Sequence, residues 1–498
     1  MCSREHDQVV YADRKQKPDM LHCVDLSADT VRRAYTRGNT GRQRHHGVAV
    51  HRSLTGMRLN QHDWNGETAR SFREVRRGGP PPGDGFESAP NNTKIGKLMG
   101  RARHLFVPFL LAIPLLWCVR CKDRPSEQET FVARPEEAGD GWETATLSTV
   151  GMDQRPFMDL VQRIGSGAYG EIHSVIVVKD NKLVFEQYWP GHDFAPFASN
   201  YHGAYVHFDR NTPHDTHSAT KSITSALIGI AIDRARIRSL PDAVFKYLPD
   251  KYETRNNEGR EKITVEHCLT MSSGLQWNER EVPVTASEND LMVSIRSVDP
   301  IGYLLSKPVT TEPGTRFYYN GGTVNLLGVM LTFASEQSVQ TFSSRYLFGP
   351  LGISNYRWQV FQPSGITFCS GDIYITPRDM AKFGQLFLDG GKWKGAQVIS
   401  KEWVEKSTQY HINPMVSWAD GYGYLWWLKN LRVNGTTVRS IKAIGWGGQE
   451  IFVLKDLAMV VVFTGANYVG NVPCDEIVQR YILPAAGMWT RHSRRSPV

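Results

Sequence analysis

The sequence lacks a framework of paired cysteines. Its 498 residues include seven Cys, of which only Cys118 and Cys121 form a C-x-x-C pair, with no second pair or histidine cluster beside it. Neither a structural zinc site nor a disulfide scaffold is therefore expected. The three downstream cysteines are predicted to be free and packed: Cys268, Cys369 and Cys474.

The chain also lacks a marked excess of positive charge outside its first hundred residues. The formal net charge is +8, but residues 1–98 hold 17 Lys and Arg against 11 Asp and Glu, so most of the excess lies there. A basic globular surface is not indicated, and no nucleic-acid partner is expected. Residues 1–98 have no sustained apolar periodicity and contain RRGGPPPGDG at 76–85. They are predicted to be a disordered extension or to precede the true start of translation.

No apolar run of the sequence is long enough to cross a bilayer comfortably. The run Leu105–Leu116 follows two arginines, and a basic stretch before about a dozen apolar residues is typical of a signal peptide. Residues 99–121 are therefore predicted to be a signal peptide, with translation beginning at Met99 and export to the periplasm. A membrane anchor is the alternative. A further alternative is a lipoprotein, because Cys118 follows the apolar run. Against it, the residue before a lipidated cysteine is normally small, and here it is Trp117.

The rest of the chain is predicted to form one α+β unit. Residues 122–145 are charged and rich in Pro and Glu, as in a linker. Alternating β-branched and aromatic residues at 172–180 and 182–189 predict a hairpin, and residues 440–467 predict three more strands. Helical patterns lie between these two β blocks, so we expect strands from both ends of a domain at 146–490 to join one antiparallel sheet.

The stretch THSATKSITSAL contains a serine and a lysine three residues apart, Ser218 and Lys221. Residues at i and i+3 share a helix face, so both side chains can point to one site. A serine hydroxyl becomes a good nucleophile when a base removes its proton, and a desolvated lysine can act as that base. The apolar residues that follow would bury the helix and supply the desolvation. Alone, a single S-x-x-K match is expected by chance in a chain of this length.

Two later stretches offer partners for this pair. EPGTRFYYNGGTVNLLG at 312–328 presents adjacent tyrosines, Tyr318 and Tyr319, before a helix start. A tyrosine beside Lys221 could relay protons to and from the serine oxygen. IGWGGQEIFVL places glycines at the start of a strand, where substrate can approach the backbone closely and an N–H group can face an oxyanion.

Taken together and in this order, these three elements resemble the serine β-lactamase and penicillin-binding-protein superfamily. The chain is similar in particular to its class C-like branch of esterases, D-amino-acid peptidases and 6-aminohexanoate-dimer hydrolases. Further stretches carry the resemblance over about residues 145–485, namely ITVEHCLTMSSGLQWNE, GDIYITPRDMAKFGQLFL and GYGYLWWL. The resemblance implies a β-lactamase/transpeptidase-like fold: an antiparallel sheet flanked by helices, plus an all-α subdomain, with the site between them.

The resemblance also implies roles for individual residues. Ser218 would be the acylated nucleophile, Lys221 its general base, and Tyr319 the proton shuttle to the leaving group, with Tyr318 as the competing tyrosine. The backbone N–H groups of Ser218 and Gln449 would form the oxyanion hole. Hydrolysis would proceed through an acyl-enzyme, with no metal and no cofactor.

Two departures from the family pattern bear on the substrate. The usual Tyr-x-Asn is here Tyr319-Asn320-Gly321, so the asparagine contact comes from a shifted position or is missing. Where β-lactamases carry Lys-Thr-Gly, this chain has Trp446-Gly447-Gly448. The cation of that motif engages a substrate carboxylate, and Trp446 offers none. Lys442, four residues earlier on the strand, could not take its place.

The sequence therefore predicts a serine hydrolase, an esterase or amidase, acting on a small-molecule ester or amide without an obligatory carboxylate. Trp446, Gly447, Gly448, Gln449 and Asn320 are the expected substrate-binding residues. Within the enzyme class, the alternative is a D-alanyl-D-alanine-type peptidase or weak β-lactamase. Outside it, the alternative is a non-catalytic sensor or scaffold that keeps the fold. No feature of the sequence indicates an oligomeric state.

Overall fold

A computed structural model of the chain describes residues 8–10, 23–25 and 131–487. Most of the predicted extension 1–98, all of the predicted signal or anchor segment 99–121, and part of the predicted linker lie outside the described residues. Strands β1 (Gln8–Val10) and β2 (Cys23–Asp25) pair with each other in antiparallel fashion. Among the described residues, no helix combines the length and the apolar character needed to cross a membrane.

The strands from residue 131 onward are β3 (Glu143–Thr144), β4 (Ile172–Lys179), β5 (Lys182–Tyr188), β6 (Gly191–Phe194), β7 (His202–Val206), β8 (His214–Asp215), β9 (Tyr356–Arg357), β10 (Tyr374–Ile375), β11 (Lys392–Trp393), β12 (Ala396–Gln397), β13 (Gly421–Tyr422), β14 (Trp427–Val433), β15 (Thr436–Gly445), β16 (Gln449–Leu454) and β17 (Met459–Gly465). The largest sheet of the described region has eight of these strands in the order β13-β14-β15-β16-β17-β4-β5-β3. All neighbouring pairs in it are antiparallel except β3 and β5, which are parallel.

One α-helix precedes the first β block, two follow the second, and the others lie between the two blocks. The α-helices of the described residues are α1 (Arg155–Gly165), α2 (Thr220–Asp233), α3 (Val265–Leu269), α4 (Asp290–Arg296), α5 (Pro300–Leu305), α6 (Gly321–Ser335), α7 (Val339–Ser343), α8 (Pro377–Leu388), α9 (Lys401–Ser407), α10 (Cys474–Ile477) and α11 (Leu483–Ala485). Shorter 3₁₀ turns include His217–Ala219, which continues directly into α2, and a π-helical turn, Val478–Ile482, joins α10 to α11.

The two predicted β blocks meet in the middle of the sheet. β17 pairs with β4 over seven positions, with Val461 opposite Val177. Side chains of a strand alternate between faces, and here both faces are apolar: Ile176 and Val178 enter one core cluster, while Val175 and Val177 enter the other. The predicted α+β class and the single sheet joining both ends of the domain are confirmed.

Helices cover both faces of this sheet. α1 and the C-terminal helical turns pack on the face of Val175. α8 packs on the opposite face so closely that a Cβ added at Gly384 would lie 2.6 Å from Val460 Cγ1. Glycine is therefore required at that helix position, because any side chain would push α8 off the sheet.

A helical region built on α2 and α6 lies next to the sheet. Both helices are buried on nearly all sides, as expected for helices with little amphipathic character inside a large core. A Cβ added at Gly445, the last residue of β15, would lie 2.1 Å from the Thr216 carbonyl oxygen. The end of β15 therefore abuts the backbone just before Ser218, and the start of α2 lies between sheet and helices.

The described part of the predicted linker packs against the domain. Glu143 and Thr144 form the edge strand β3 beside β5. The Trp142 side chain is buried and its indole N–H donates to the Arg378 carbonyl over 3.3 Å. Polar composition predicted a linker at 122–145, but apolar anchors such as Trp142 extend the packed region toward residue 131.

Candidate active site

Ser218 lies in the 3₁₀ turn that opens α2. The preceding residue, His217, has a φ of 44°, a left-handed conformation that is uncommon for any residue except glycine. Its backbone N–H donates to Asp215 Oδ1 over 2.9 Å, which holds this turn in place. Strained residues held by their surroundings are typical of functional sites.

Lys221 is brought to Ser218 by the first turn of α2. Its Nζ donates to Ser218 Oγ over 2.9 Å and to the Ser370 carbonyl over 2.5 Å. The side chain is 3% exposed, and none of the ion pairs within 4 Å among the described residues involves it. Lys221 is thus a buried side chain whose hydrogen-bond partners are the serine oxygen and one carbonyl.

Tyr319 rather than Tyr318 reaches the serine. The Tyr319 hydroxyl donates to Ser218 Oγ over 2.9 Å, and Lys221 Nζ lies 4.8 Å from the centroid of its ring. The ring is stacked on Trp427 at 6.2 Å, which fixes its direction. Burial, together with the neighbouring Glu281, raises the pKa of Tyr318, and no contact joins Tyr318 to Ser218 among the interactions of the described residues.

Trp446 lies in an aromatic cluster beside His217, the residue before Ser218. We call the rings of Phe194, Tyr201, Trp446 and Tyr468 the aromatic wall. Trp446 lies 5.5 Å from Phe194, 4.6 Å from Tyr201 and 5.3 Å from Tyr468, and 5.9 Å from the His217 ring. Its indole N–H donates to the Tyr468 carbonyl over 2.9 Å, so no polar group of Trp446 is left to bind substrate.

The glycines after Trp446 serve the turn into β16. Gly447 and Gly448 have φ values of 82° and 96°, and a Cβ at Gly447 would lie 2.4 Å from the Tyr468 ring. The buried Gln449 side chain donates to the Gly465 and Trp446 carbonyls. The glycines are therefore required by packing and turn geometry, and the oxyanion role of the Gln449 backbone N–H stays a prediction.

Asn320 acts as the N-cap of α6. Its Oδ1 accepts from the Thr323 N–H over 3.1 Å, which satisfies a backbone donor at the helix start. Its buried Nδ2 has no hydrogen-bond partner among the described residues. The side-chain oxygen of Asn320 thus caps the helix, while its NH₂ group has no hydrogen-bond partner among the described residues.

Lys442 lies away from the site, as predicted. It is buried and pairs with Glu450 at 2.8 Å and with Asp475 at 2.5 Å. Both carboxylates hold its ammonium group, so it cannot replace the cation that Trp446 lacks.

Sequence reasoning missed a buried acid–histidine cluster beside the nucleophile. His217 Nδ1 lies 3.3 Å from Asp372 and 3.7 Å from Asp215. Burial opposes the charged imidazolium, but the two carboxylates outweigh it and raise the pKa of His217. Burial and the nearby Asp372 raise the pKa of Asp215 to about 7. The sequence signal was the DTHS stretch, in which the acid and the histidine directly precede Ser218.

Sequence reasoning also missed Glu279 and Arg280. The Glu279 Oε2 accepts from the Trp277 indole N–H over 2.5 Å and from the Gly321 N–H over 2.6 Å, and burial raises the pKa of this carboxyl. The exposed Arg280 guanidinium lies 5.2 Å from the Tyr319 ring centroid. The site therefore has a cation, but on the tyrosine side rather than at Trp446.

With this geometry in hand, the family can be assigned. The family model described as Beta-lactamase matches residues 162–486, well over half of the chain. The chain belongs to the β-lactamase family. The family predicted from the sequence is confirmed.

Individual relatives of this β-lactamase family member are distant. The chain is 27% identical over 204 residues to a protein of Paenarthrobacter ureafaciens named 6-aminohexanoate-dimer hydrolase, a match that covers 39% of this chain and 50% of the relative. The chain thus spans half the length of that relative. The name agrees with the predicted enzyme class, a hydrolase.

Solved structures show the same fold. A family VIII carboxylesterase superposes with a TM-score of 0.51 at 15% identity, covering 67% of this chain and 98% of that one. A penicillin-binding protein homologue from Caulobacter crescentus has a TM-score of 0.51 at 14% identity, covering 65% and 95%. The predicted β-lactamase/transpeptidase-like fold is confirmed.

Proposed function

We propose that the protein is a serine hydrolase that cleaves an ester or amide bond through an acyl-enzyme on Ser218. One observation carries the proposal: Ser218 Oγ lies 2.9 Å from Lys221 Nζ and 2.9 Å from the Tyr319 hydroxyl oxygen. A nucleophile within hydrogen-bond reach of two proton-transfer groups is the arrangement that acyl transfer requires.

The proposed reaction begins with attack of Ser218 Oγ on the substrate carbonyl carbon. Lys221 Nζ, in its amine form, accepts the hydroxyl proton across the same 2.9 Å contact. Negative charge develops on the carbonyl oxygen, which the backbone N–H groups of Ser218 and Gln449 would stabilise. Tyr319 then donates a proton to the leaving alcohol or amine, and the acyl group stays on Ser218.

Deacylation uses the same residues in reverse. Tyr319, which acylation leaves as a phenolate, takes a proton from a water molecule, and the water oxygen attacks the acyl carbonyl and releases the acid. Lys221 returns its proton to Ser218 Oγ, so the site ends in its starting state. No step requires an electron transfer or an additional reactant beyond water.

The aromatic wall supports a substrate without an obligatory carboxylate. Trp446 carries no charge and its indole N–H is already engaged by Tyr468. Lys442 is paired with Glu450 and Asp475. An apolar acyl or alcohol group packed on Trp446 is the substrate feature that this side of Ser218 favours.

Arg280 is the observation that favours the second candidate, a peptidase or weak β-lactamase. Its side chain is exposed, and its guanidinium lies 5.2 Å from the Tyr319 ring centroid. A carboxylate on the leaving-group side could pair with it. The two candidates therefore differ in whether the substrate carries a negative charge.

One set of assays tests the proposal. The full chain is incubated with a fluorophosphonate probe, a short-chain p-nitrophenyl ester and a chromogenic cephalosporin. We expect probe labelling and ester hydrolysis, both lost in Ser218→Ala by at least about a thousandfold. Absence of labelling and of turnover with both substrates would exclude the hydrolase, and ester turnover that survives Ser218→Ala would exclude this nucleophile.

We also propose that the protein is exported, on the layout of residues 99–121. The mature N-terminus from a bacterial host, determined by Edman degradation, is expected to lie after the apolar run Leu105–Leu116. A protein that keeps residues 1–98 in the cytosol would contradict this proposal. Recovery in the membrane fraction would favour an anchor or a lipid.

A further inference from the structure

A second cluster of ligating side chains lies at the hairpin formed by β6 and β7. It consists of Glu171, just before β4, with His192 on β6 and His202 at the start of β7. One ligand atom from each residue lies within 4.8 Å of the others. His192 Nδ1 is 2.7 Å and His202 Nδ1 is 3.8 Å from Glu171 Oε1. We propose that these three residues bind a divalent transition metal, with Zn²⁺ as the best match to two imidazoles and one carboxylate.

The spacing of the ligand atoms suits such an ion. Zinc binds imidazole nitrogen and carboxylate oxygen at about 2.0–2.2 Å, so ligand atoms around it lie roughly 3–3.5 Å apart. The two nitrogen–oxygen distances bracket that range. A water molecule would complete four-coordination.

Neighbouring groups already orient the ligands. His202 Nε2 lies 3.0 Å from the Ala466 carbonyl, which can only accept, so Nε2 carries the proton and Nδ1 offers its lone pair in the neutral ring. The backbone N–H of His192 donates to Glu171 Oε2 over 2.8 Å, leaving Oε1 to face both imidazoles. Hydrogen bonding of the non-ligating ring nitrogen to a carbonyl is the usual support for a metal-bound histidine.

His173 is an independent sign of a missing partner. It is 1% exposed, and neither ring nitrogen has a hydrogen-bond partner among the described residues. Its Nε2 lies 3.7 Å from Glu171 Oε2. Buried polar groups are almost always satisfied, and movement of Glu171 onto a metal would let His173 donate to Oε2.

The metal would connect this hairpin to the candidate active site. Phe194 on β6 and Tyr201 just before β7 are two members of the aromatic wall, and they contact Trp446. A metal held by both hairpin strands and by Glu171 would fix the wall against Trp446. Its role is to hold the wall in position, since Ser218, Lys221 and Tyr319 carry the proposed chemistry without it. The proposal departs from the expectation, drawn from the sequence, that the chain binds no metal.

Zinc titration of the full chain against a chromophoric chelator, after removal of metals, tests the site. We expect His192→Gln and His202→Ala to weaken zinc binding by at least about a hundredfold relative to the parent. His207→Ala is the matched control, because it removes an exposed histidine just after β7 and should bind like the parent. Histidines outside the described residues are present in every variant and contribute equally to zinc binding. The test therefore compares the zinc affinity of each variant with that of the parent.

Thermal unfolding gives a second readout that does not depend on activity. Zinc should raise the Tm of the parent and of His207→Ala but not of His202→Ala, and circular dichroism checks that each variant is folded. Equal zinc binding by the parent and both ligand variants would overturn the proposal. So would loss of binding in Asp372→Asn with retention in His202→Ala, which would place the metal at the cluster of Asp215, His217 and Asp372.

Discussion

The two sides of Ser218 are built in different ways. On one side, Lys221 projects from the start of α2 and Tyr319 lies two residues before α6, and both helices are buried in the core. On the other side, Trp446 follows β15 and packs on the hairpin of β6 and β7, whose exposed residues include Phe197 and Tyr205. The helical side holds Lys221 Nζ and the Tyr319 hydroxyl within hydrogen-bond distance of Ser218 Oγ, whereas the aromatic side consists of apolar rings. We infer that reaction chemistry and substrate choice are divided between them.

The largest effect is expected from the helical side, in a comparison of two adjacent tyrosines. Tyr319→Phe keeps the ring on Trp427 but removes the hydroxyl that donates to Ser218 Oγ, so kcat/KM for ester hydrolysis should fall about a hundredfold or more. Tyr318→Phe is the matched control and should stay within about threefold of the parent, a margin well below the size of a lost proton-transfer group. Steady-state kinetics with the p-nitrophenyl ester measures both. A larger loss in Tyr318→Phe would reverse the assignment.

A smaller effect is expected from the aromatic side. Trp446→Ala removes the apolar surface facing the proposed substrate, and kcat/KM for the ester should fall about tenfold, equivalent to about 1.4 kcal/mol. The loss should appear mainly in KM, while fluorophosphonate labelling of Ser218 persists because Lys221 and Tyr319 are untouched. If labelling were lost together with turnover, the division between the two sides would be wrong.

The smallest effect concerns Glu279, whose carboxylate accepts hydrogen bonds from the Trp277 indole and from the backbone N–H of Gly321. Burial raises its pKa in the folded state, so its contribution to stability is complete below the unfolded pKa of about 4.3 and is lost as pH rises through the folded value. Glu279→Gln cannot titrate. The free energy of unfolding of the variant, relative to the parent, should therefore increase as pH rises from acid to neutral.

Urea unfolding at a series of pH values measures this difference. The control is Glu288→Gln, which replaces an exposed carboxyl, and the trend of Glu279→Gln is judged relative to this variant. A difference between Glu279→Gln and the parent that is constant with pH would mean that the carboxyl keeps an ordinary pKa in the folded protein.

Much of the fold followed from local sequence. Alternation of β-branched residues around Asp180-Asn181 predicted the β4–β5 hairpin, and the structure shows positive φ values of 51° and 61° at those two turn residues. The packing of Trp142 could not be read from the composition of residues 122–145, because it is a long-range contact with Arg378. Local patterns report turns and periodicity, whereas distant packing depends on the whole chain.

The candidate site likewise contains some contacts that the sequence determines and others that depend on the tertiary structure. Ser218 and Lys221 are three residues apart in one helical turn, so their proximity was determined by sequence alone. The choice of Tyr319 over Tyr318 required the tertiary structure, since two adjacent residues point in different directions and only one reaches a serine 101 positions away. The same holds for Arg280 near Tyr319, and for Glu171, His192 and His202, which the hairpin brings together. Sequence determined the residues that share a turn, and the tertiary structure decided which distant side chains meet them, because that depends on how strands and helices pack.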